Sequence, residues 1–222
     1  MLMVVVVIAV VSGALVLGAL WGLYLPLPEG LQGFLVALAG GALVLSAVDE
    51  LIARAVDESS LGVVALFTLL GAAVFTGVDY VIDEKWGDDS GGGLLAAITL
   101  DGVPENLALG VALIGADPKA VAALAGSILL SNLPEAAGGA KQMRSNGMSR
   151  MKALGLWAAT ALLLSAAALI GYLVMDNASP TVLAAIRSAA AGAVIASLAT
   201  EVFPQAFKED SHWAGIATTI GL

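Results

Sequence analysis

The chain has 222 residues, of which 59% are apolar and only 12% charged, and its mean hydropathy is +0.97. A soluble domain carries roughly 25% charged residues, about twice this share, so a water-soluble globule is excluded. Nine basic against 18 acidic residues, a net charge of −9, exclude nucleic-acid binding; zero cysteines exclude disulfides and thiolate metal sites; the single His212 excludes a multi-His cluster.

A membrane-crossing helix needs about 20 predominantly apolar residues. Seven stretches qualify: Met1–Leu25, Leu31–Val56, Leu61–Ile82, Gly93–Ala116, Lys119–Ala140, Met151–Met175 and Thr181–Phe207. Short connections rich in Pro, Gly, Asp or Ser separate them, among them "LPLPEG", "DESS", "RSNGMSR" and "DNASP". None is long enough to divide soluble domains, so residues 1–222 read as a single all-α, polytopic transmembrane domain. The first stretch lacks a basic leading region and is too long for a signal peptide, which predicts a retained helix. The last stretch, His212–Leu222, spans 11 residues, roughly 16 Å of helix. It is either a half-helix packed inside or an eighth helix cut short, and the latter is expected.

Basic residues set orientation. Odd-numbered connections hold Lys85, Lys141, Arg144, Arg150, Lys152 and Lys208; even-numbered ones hold Arg54, Lys119 and Arg187. The excess predicts odd connections in the cytoplasm, an outside N-terminus and residence in the plasma membrane, with lipid as the surrounding partner. Trp21, Trp86, Trp157 and Trp213 fall near span ends, as interfacial anchors do.

Two stretches match without gaps: "GALVLSAVDELIARA" (41–55) in helix 2 and "GAVIASLATEVFPQA" (192–206) in helix 7. They share Gly41/Gly192, Ser46/Ser197 and Glu50/Glu201. An even and an odd helix run in opposite directions, so the repeat would be inverted, a common transporter construction. It puts Glu50 towards the outer mouth and Glu201 towards the inner one. Glu50 with Asp49 is a candidate outer access point, and Glu201 with Gln205 a candidate inner release point; ordinary helix-end charges are the alternative for the first pair.

Helices 4 and 5 carry the chemistry. "DGVPEN" (101–106) and "SNLPEA" (131–136) each place a polar residue four before a Glu that follows Pro. Asp101 and Glu105 therefore share one helix face, as do Ser131 and Glu135. An ionisable group near the bilayer centre costs on the order of 3 kcal/mol. Asp101, Glu105 and Glu135, with no Lys or Arg at that depth, must share protons, hold a cation or line water. Pro104 and Pro134 free the carbonyls of Leu100 and Leu130, tolerated at that depth only when they face protein, water or an ion.

These paired Pro-Glu motifs resemble the signature of the ZIP (Zrt-/Irt-like protein) family of divalent-metal transporters. The resemblance implies eight helices, both termini outside, inverted three-helix repeats flanking helices 4 and 5, a metal site between those two, and no enzymatic activity. It implies Asp101, Glu105, Ser131 and Glu135 as the transport site, with Asn132 left from a second, adjacent site. This sequence has Asp101 where the family typically has His, Gly102 where it has Asn, and Leu164 or Ser165 where many prokaryotic members carry Glu. One metal rather than two is expected, and the all-oxygen set suits Mn²⁺, Mg²⁺ or Fe²⁺ as well as Zn²⁺. The resemblance also allows a homodimer. Two rival readings are a degenerate member that moves no metal and an intramembrane metallo-enzyme with Glu105 or Glu135 as general base.

Overall fold

The computed structural model describes residues 2–86, 91–114, 118–175 and 178–222. The side chains of Asp83, Trp86 and Asp101 lie outside the described residues. The described chain is helical, with no strand: α1 (Leu2–Tyr24), α2 (Glu29–Glu58), α3 (Leu61–Trp86), α4 (Gly91–Ala112), α5 (Pro118–Ser145), α6 (Arg150–Met175), α7 (Pro180–Glu209) and α8 (Ala214–Gly221). Among the described residues, six of these helices (α1, α2, α3, α5, α6 and α7) are long and apolar enough to cross a membrane. That is consistent with a multi-pass membrane protein.

Local chemistry sets the helix limits. Pro180 opens α7 behind Ser179, whose hydroxyl accepts from Val182 N–H. Gly147, at φ +88°, closes α5: Met148 N–H returns to Met143 C=O and Gly147 N–H to Arg144 C=O. Only a left-handed residue allows that paired closure, and glycine takes it without a Cβ clash. Large apolar side chains such as Leu69, Leu162 and Met151 point outward, and Leu162 is 73% exposed. The polar side chains Glu105, Asn106, Asn132 and Arg187 are buried, the reverse of a soluble protein.

Small residues let the helices approach to backbone contact. A methyl on Gly18 or Gly22 of α1 would collide with the α5 backbone at Leu133 or Ala137; on Gly110 or Gly171 it would collide across the α4–α6 contact. Gly41 of α2 sits on the Thr218 carbonyl of α8, and Gly192 of α7 sits on the Thr68 carbonyl of α3. Likewise Gly221 of α8 meets Leu38 of α2, and Gly71 of α3 meets Ala189 of α7. The packing of α1 on α5 and α8 on α2 thus parallels that of α6 on α4 and α3 on α7.

The two long helices correspond residue by residue. The α-helical part of α2 runs Glu29–Ser46 and that of α7 runs Pro180–Ser197, each limit 151 positions apart (180 less 29). Both then pass into a π-helical stretch, Ala47–Ala53 in α2 and Leu198–Val202 in α7, which starts at matching positions and contains Glu50 and Glu201 respectively. A π-helical turn inserts one residue and re-aims the side chains beyond it, and such turns recur at functional sites. The matched segments read from sequence therefore share a backbone irregularity that composition alone does not reveal.

Two side chains depart from the sequence-based expectation. Trp157 is fully buried among Leu15, Ala136, Met143 and Ala161 rather than at an interface. Arg187, counted above among the connections, lies in α7 and is 4% exposed. α8 is a short helix seated on α2.

Candidate functional site

A pocket of about 670 Å³, its open mouth included, lies between α2, α4, α5 and α7, with Leu164 of α6 on its wall. Its lining gathers Glu105 from α4, Ser131, Asn132 and Glu135 from α5, and Ser197, Glu201 and Gln205 from α7. On α5 the polar residues fall near the middle of the helix; on α7 they run down to its C-terminal end. The pocket therefore extends from mid-bundle towards the end that carries the odd-numbered connections, where Gln205 is exposed.

Each polar side chain is placed by its helix. Glu105 is 8% exposed, one position after the intrahelical Pro104; Glu135 follows Pro134 and is half-buried. Ser131 Oγ donates to the Ile128 carbonyl at 3.3 Å, which leaves its lone pairs as acceptors. Asn132, 2% exposed, donates Nδ2 to the Val11 carbonyl of α1 at 3.2 Å, so its amide ties α5 to α1 and leaves an oxygen acceptor. Asn106, fully buried beside Glu105, donates Nδ2 to the Gly102 carbonyl at 2.9 Å, while its buried Oδ1 makes no hydrogen bond among the described residues. Sequence reading passed over Asn106 and Ser197. The signals were there, in an amide directly after the Pro-Glu pair and in the serine that matches Ser46 across the repeat.

Of the residues singled out from sequence, Glu105, Ser131, Asn132, Glu135, Glu201 and Gln205 meet around this pocket. Asp101 is a helical residue of α4 whose side chain lies outside the described residues. Glu50 does not line the pocket: it is buried near the far end of α2 and accepts from Arg54 Nε at 2.9 Å, while Asp49 is exposed. His212 is exposed in the turn before α8, near Ser211 Oγ. Among the described residues, no three His, Asp or Glu side chains gather closely enough to hold one metal ion. The described polar groups are thus carboxylates, two serine hydroxyls and amides, set in a lining whose other members, such as Val36, Leu43, Ile98 and Leu198, are apolar. Such a lining can solvate a hydrated cation or relay a proton.

A Cβ on Gly102 would lie 2.5 Å from Leu164 Cδ1, because the leucine fills the volume the glycine leaves open. Ser165, the neighbouring candidate, turns away and donates to Ser12 Oγ of α1 at 2.7 Å. No protein-family model and no curated protein matches the chain.

Proposed function

We propose that this chain is a divalent-metal-cation transporter of the ZIP type, a plasma-membrane protein with its N-terminus outside, and no enzyme. The observation that carries the reading is the convergence of Glu105, Ser131, Asn132 and Glu135, from two proline-interrupted helices, on one pocket that continues past Glu201 to Gln205. In this reading Asp101 completes the mid-membrane site, and the cation leaves past Glu201 on the cytoplasmic side. The correspondence of α2 with α7, π-helical turns included, supports inverted three-helix repeats around α4 and α5, which would rock against that pair to alternate access. The cargo is one of Zn²⁺, Mn²⁺, Fe²⁺ or Mg²⁺, bound singly because Leu164 occupies the second position. Flux of each ion into liposomes holding the purified protein tests it, with Glu105→Gln and Glu135→Gln as comparisons.

A second reading is a relative that has kept the bundle and lost metal transport. Asp101 and Gly102, standing where the ZIP pattern has His and Asn, favour it. Metal content of the purified protein separates the two: about one ion per chain on the first reading, none on the second.

A further inference from the structure

Correspondence between α2 and α7 exposes a difference in charge between the two ends of the bundle. The helices terminate on matching acids, Glu58 and Glu209, and each acid is held by a side chain from near the start of the other helix. At the end with the even-numbered connections that side chain is a cation: Arg187 Nη1 of α7 donates to Glu58 Oε2 of α2. At the opposite end it is a neutral amide: Gln32 Nε2 of α2 donates to Glu209 Oε1 of α7 at 2.7 Å. The neighbouring positions repeat the contrast. Arg54 pairs with Glu50, whereas Gln205, its counterpart on α7, donates to Glu209 at 3.1 Å.

We propose that Glu58 and Arg187 form a charged latch that keeps the even-connection end shut, with Gln32–Glu209 as its weaker counterpart, so that the bundle rests open towards Gln205. The cost of parting the two bridges differs in kind. Arg187 is 4% exposed, its Nε is buried without a partner among the described residues, and Ala184 beside it packs on Ala55 and Val64. Moving α7 from the end of α2 strands a guanidinium in an apolar contact until water or another anion reaches it. Gln32, equally buried, is itself uncharged, and when it lets go Glu209 keeps the Gln205 amide and the nearby Lys141 and Lys208 charges. The pocket agrees with the direction, since its lining reaches exposed Gln205 and includes neither Glu50 nor Glu58. The latch holds whether or not the pocket takes a metal, although it depends on the membrane-crossing arrangement.

The test is accessibility in the full chain, which has no native cysteine. Ser188→Cys, buried beside Arg187, reports on the even-connection end, and Ser197→Cys reports on the pocket. Both are labelled with a membrane-impermeant maleimide in vesicles of each orientation, without added metal. Ser197→Cys is expected to react only from the odd-connection side, and Ser188→Cys from neither. Glu58→Gln or Arg187→Gln should raise labelling of Ser188→Cys from the even-connection side by about ten-fold, the size of one lost pair interaction. The exchange Glu58→Arg with Arg187→Glu should restore protection. Gln32→Leu should leave Ser188→Cys protected. If Arg187→Gln does not fold, Glu58→Gln and the exchanged pair decide. Unchanged labelling in Glu58→Gln, or an exchanged pair as reactive as the single variants, would overturn the latch.

Discussion

Leu164 of α6 occupies the volume that Gly102 of α4 leaves empty: a Cβ at position 102 would come within 2.5 Å of its Cδ1 and 2.9 Å of its Cδ2. Both residues line the pocket. The two compensate each other sterically, one small and one large. Gly102→Ala should therefore destabilise the protein by about 1–3 kcal/mol, the usual cost of overpacking, unless the leucine tip can turn aside. Combined with Leu164→Ala, most of that loss should return. Thermal unfolding of the single and double variants in detergent measures the coupling.

The helix crossings give a paired prediction. Gly41→Ala and Gly192→Ala each push a methyl onto a backbone carbonyl, of Thr218 and Thr68 respectively, and backbone cannot swing away. Both should lower stability by about 1–3 kcal/mol. Gly77→Ala meets nothing within 4 Å on α3, so it should be neutral or raise stability by up to about 1 kcal/mol through helix propensity. Melting temperatures of the three variants, compared in one detergent, check the ranking.

Removal of the pocket carboxyls should separate binding from folding. Glu105→Gln and Glu135→Gln keep the side-chain volume and replace a carboxyl ligand by an amide, so neither should unfold the bundle. Each should weaken divalent-ion affinity by at least about ten-fold, the scale of one charged ligand. Isothermal titration with Mn²⁺ and Zn²⁺, together with a melting curve for each variant, checks both halves.

Asp101→His replaces a hard oxygen by imidazole in the proposed site. It should raise the ratio of Zn²⁺ to Mn²⁺ affinity. Histidine binds metal only when neutral, so binding by the variant should fall as pH drops from about 7 to about 6. Competition titrations across that range measure it. An unchanged ratio would place Asp101 away from the ion.

Much of the architecture was legible in the sequence because the physical signals were strong. Long apolar runs broken by Pro-, Gly- and Asp-rich connections gave the helix order, and the match of Gly41–Ala55 with Gly192–Ala206 pointed to the corresponding long helices. Their π-helical turns were not legible, since one extra backbone residue leaves no mark on hydropathy. Expected limits at Val56 and Phe207 also fell short of Glu58 and Glu209. A terminal glutamate looks the same in sequence whether it meets solvent or a buried arginine. Arg187 was read as a connection charge for the same reason: its burial depends on Glu58, 129 positions away. For the pocket, the Pro-Glu pairs identified Glu105 and Glu135, and the repeat identified Glu201. The pairing of Glu50 with Arg54 on one helix face is a contact that the four-residue spacing allowed but did not distinguish from an open carboxylate.

The central claim, that a divalent cation crosses the bundle through the carboxylates of α4 and α5, is tested most directly by flux. Purified protein in liposomes loaded with a metal-sensitive dye is challenged with Zn²⁺, Mn²⁺, Fe²⁺ and Mg²⁺ in turn. The expected result is protein-dependent uptake of at least one ion that Glu105→Gln and Glu135→Gln both abolish while the protein stays folded. Uptake no faster than in empty liposomes for every ion, or uptake that survives both substitutions, would contradict it.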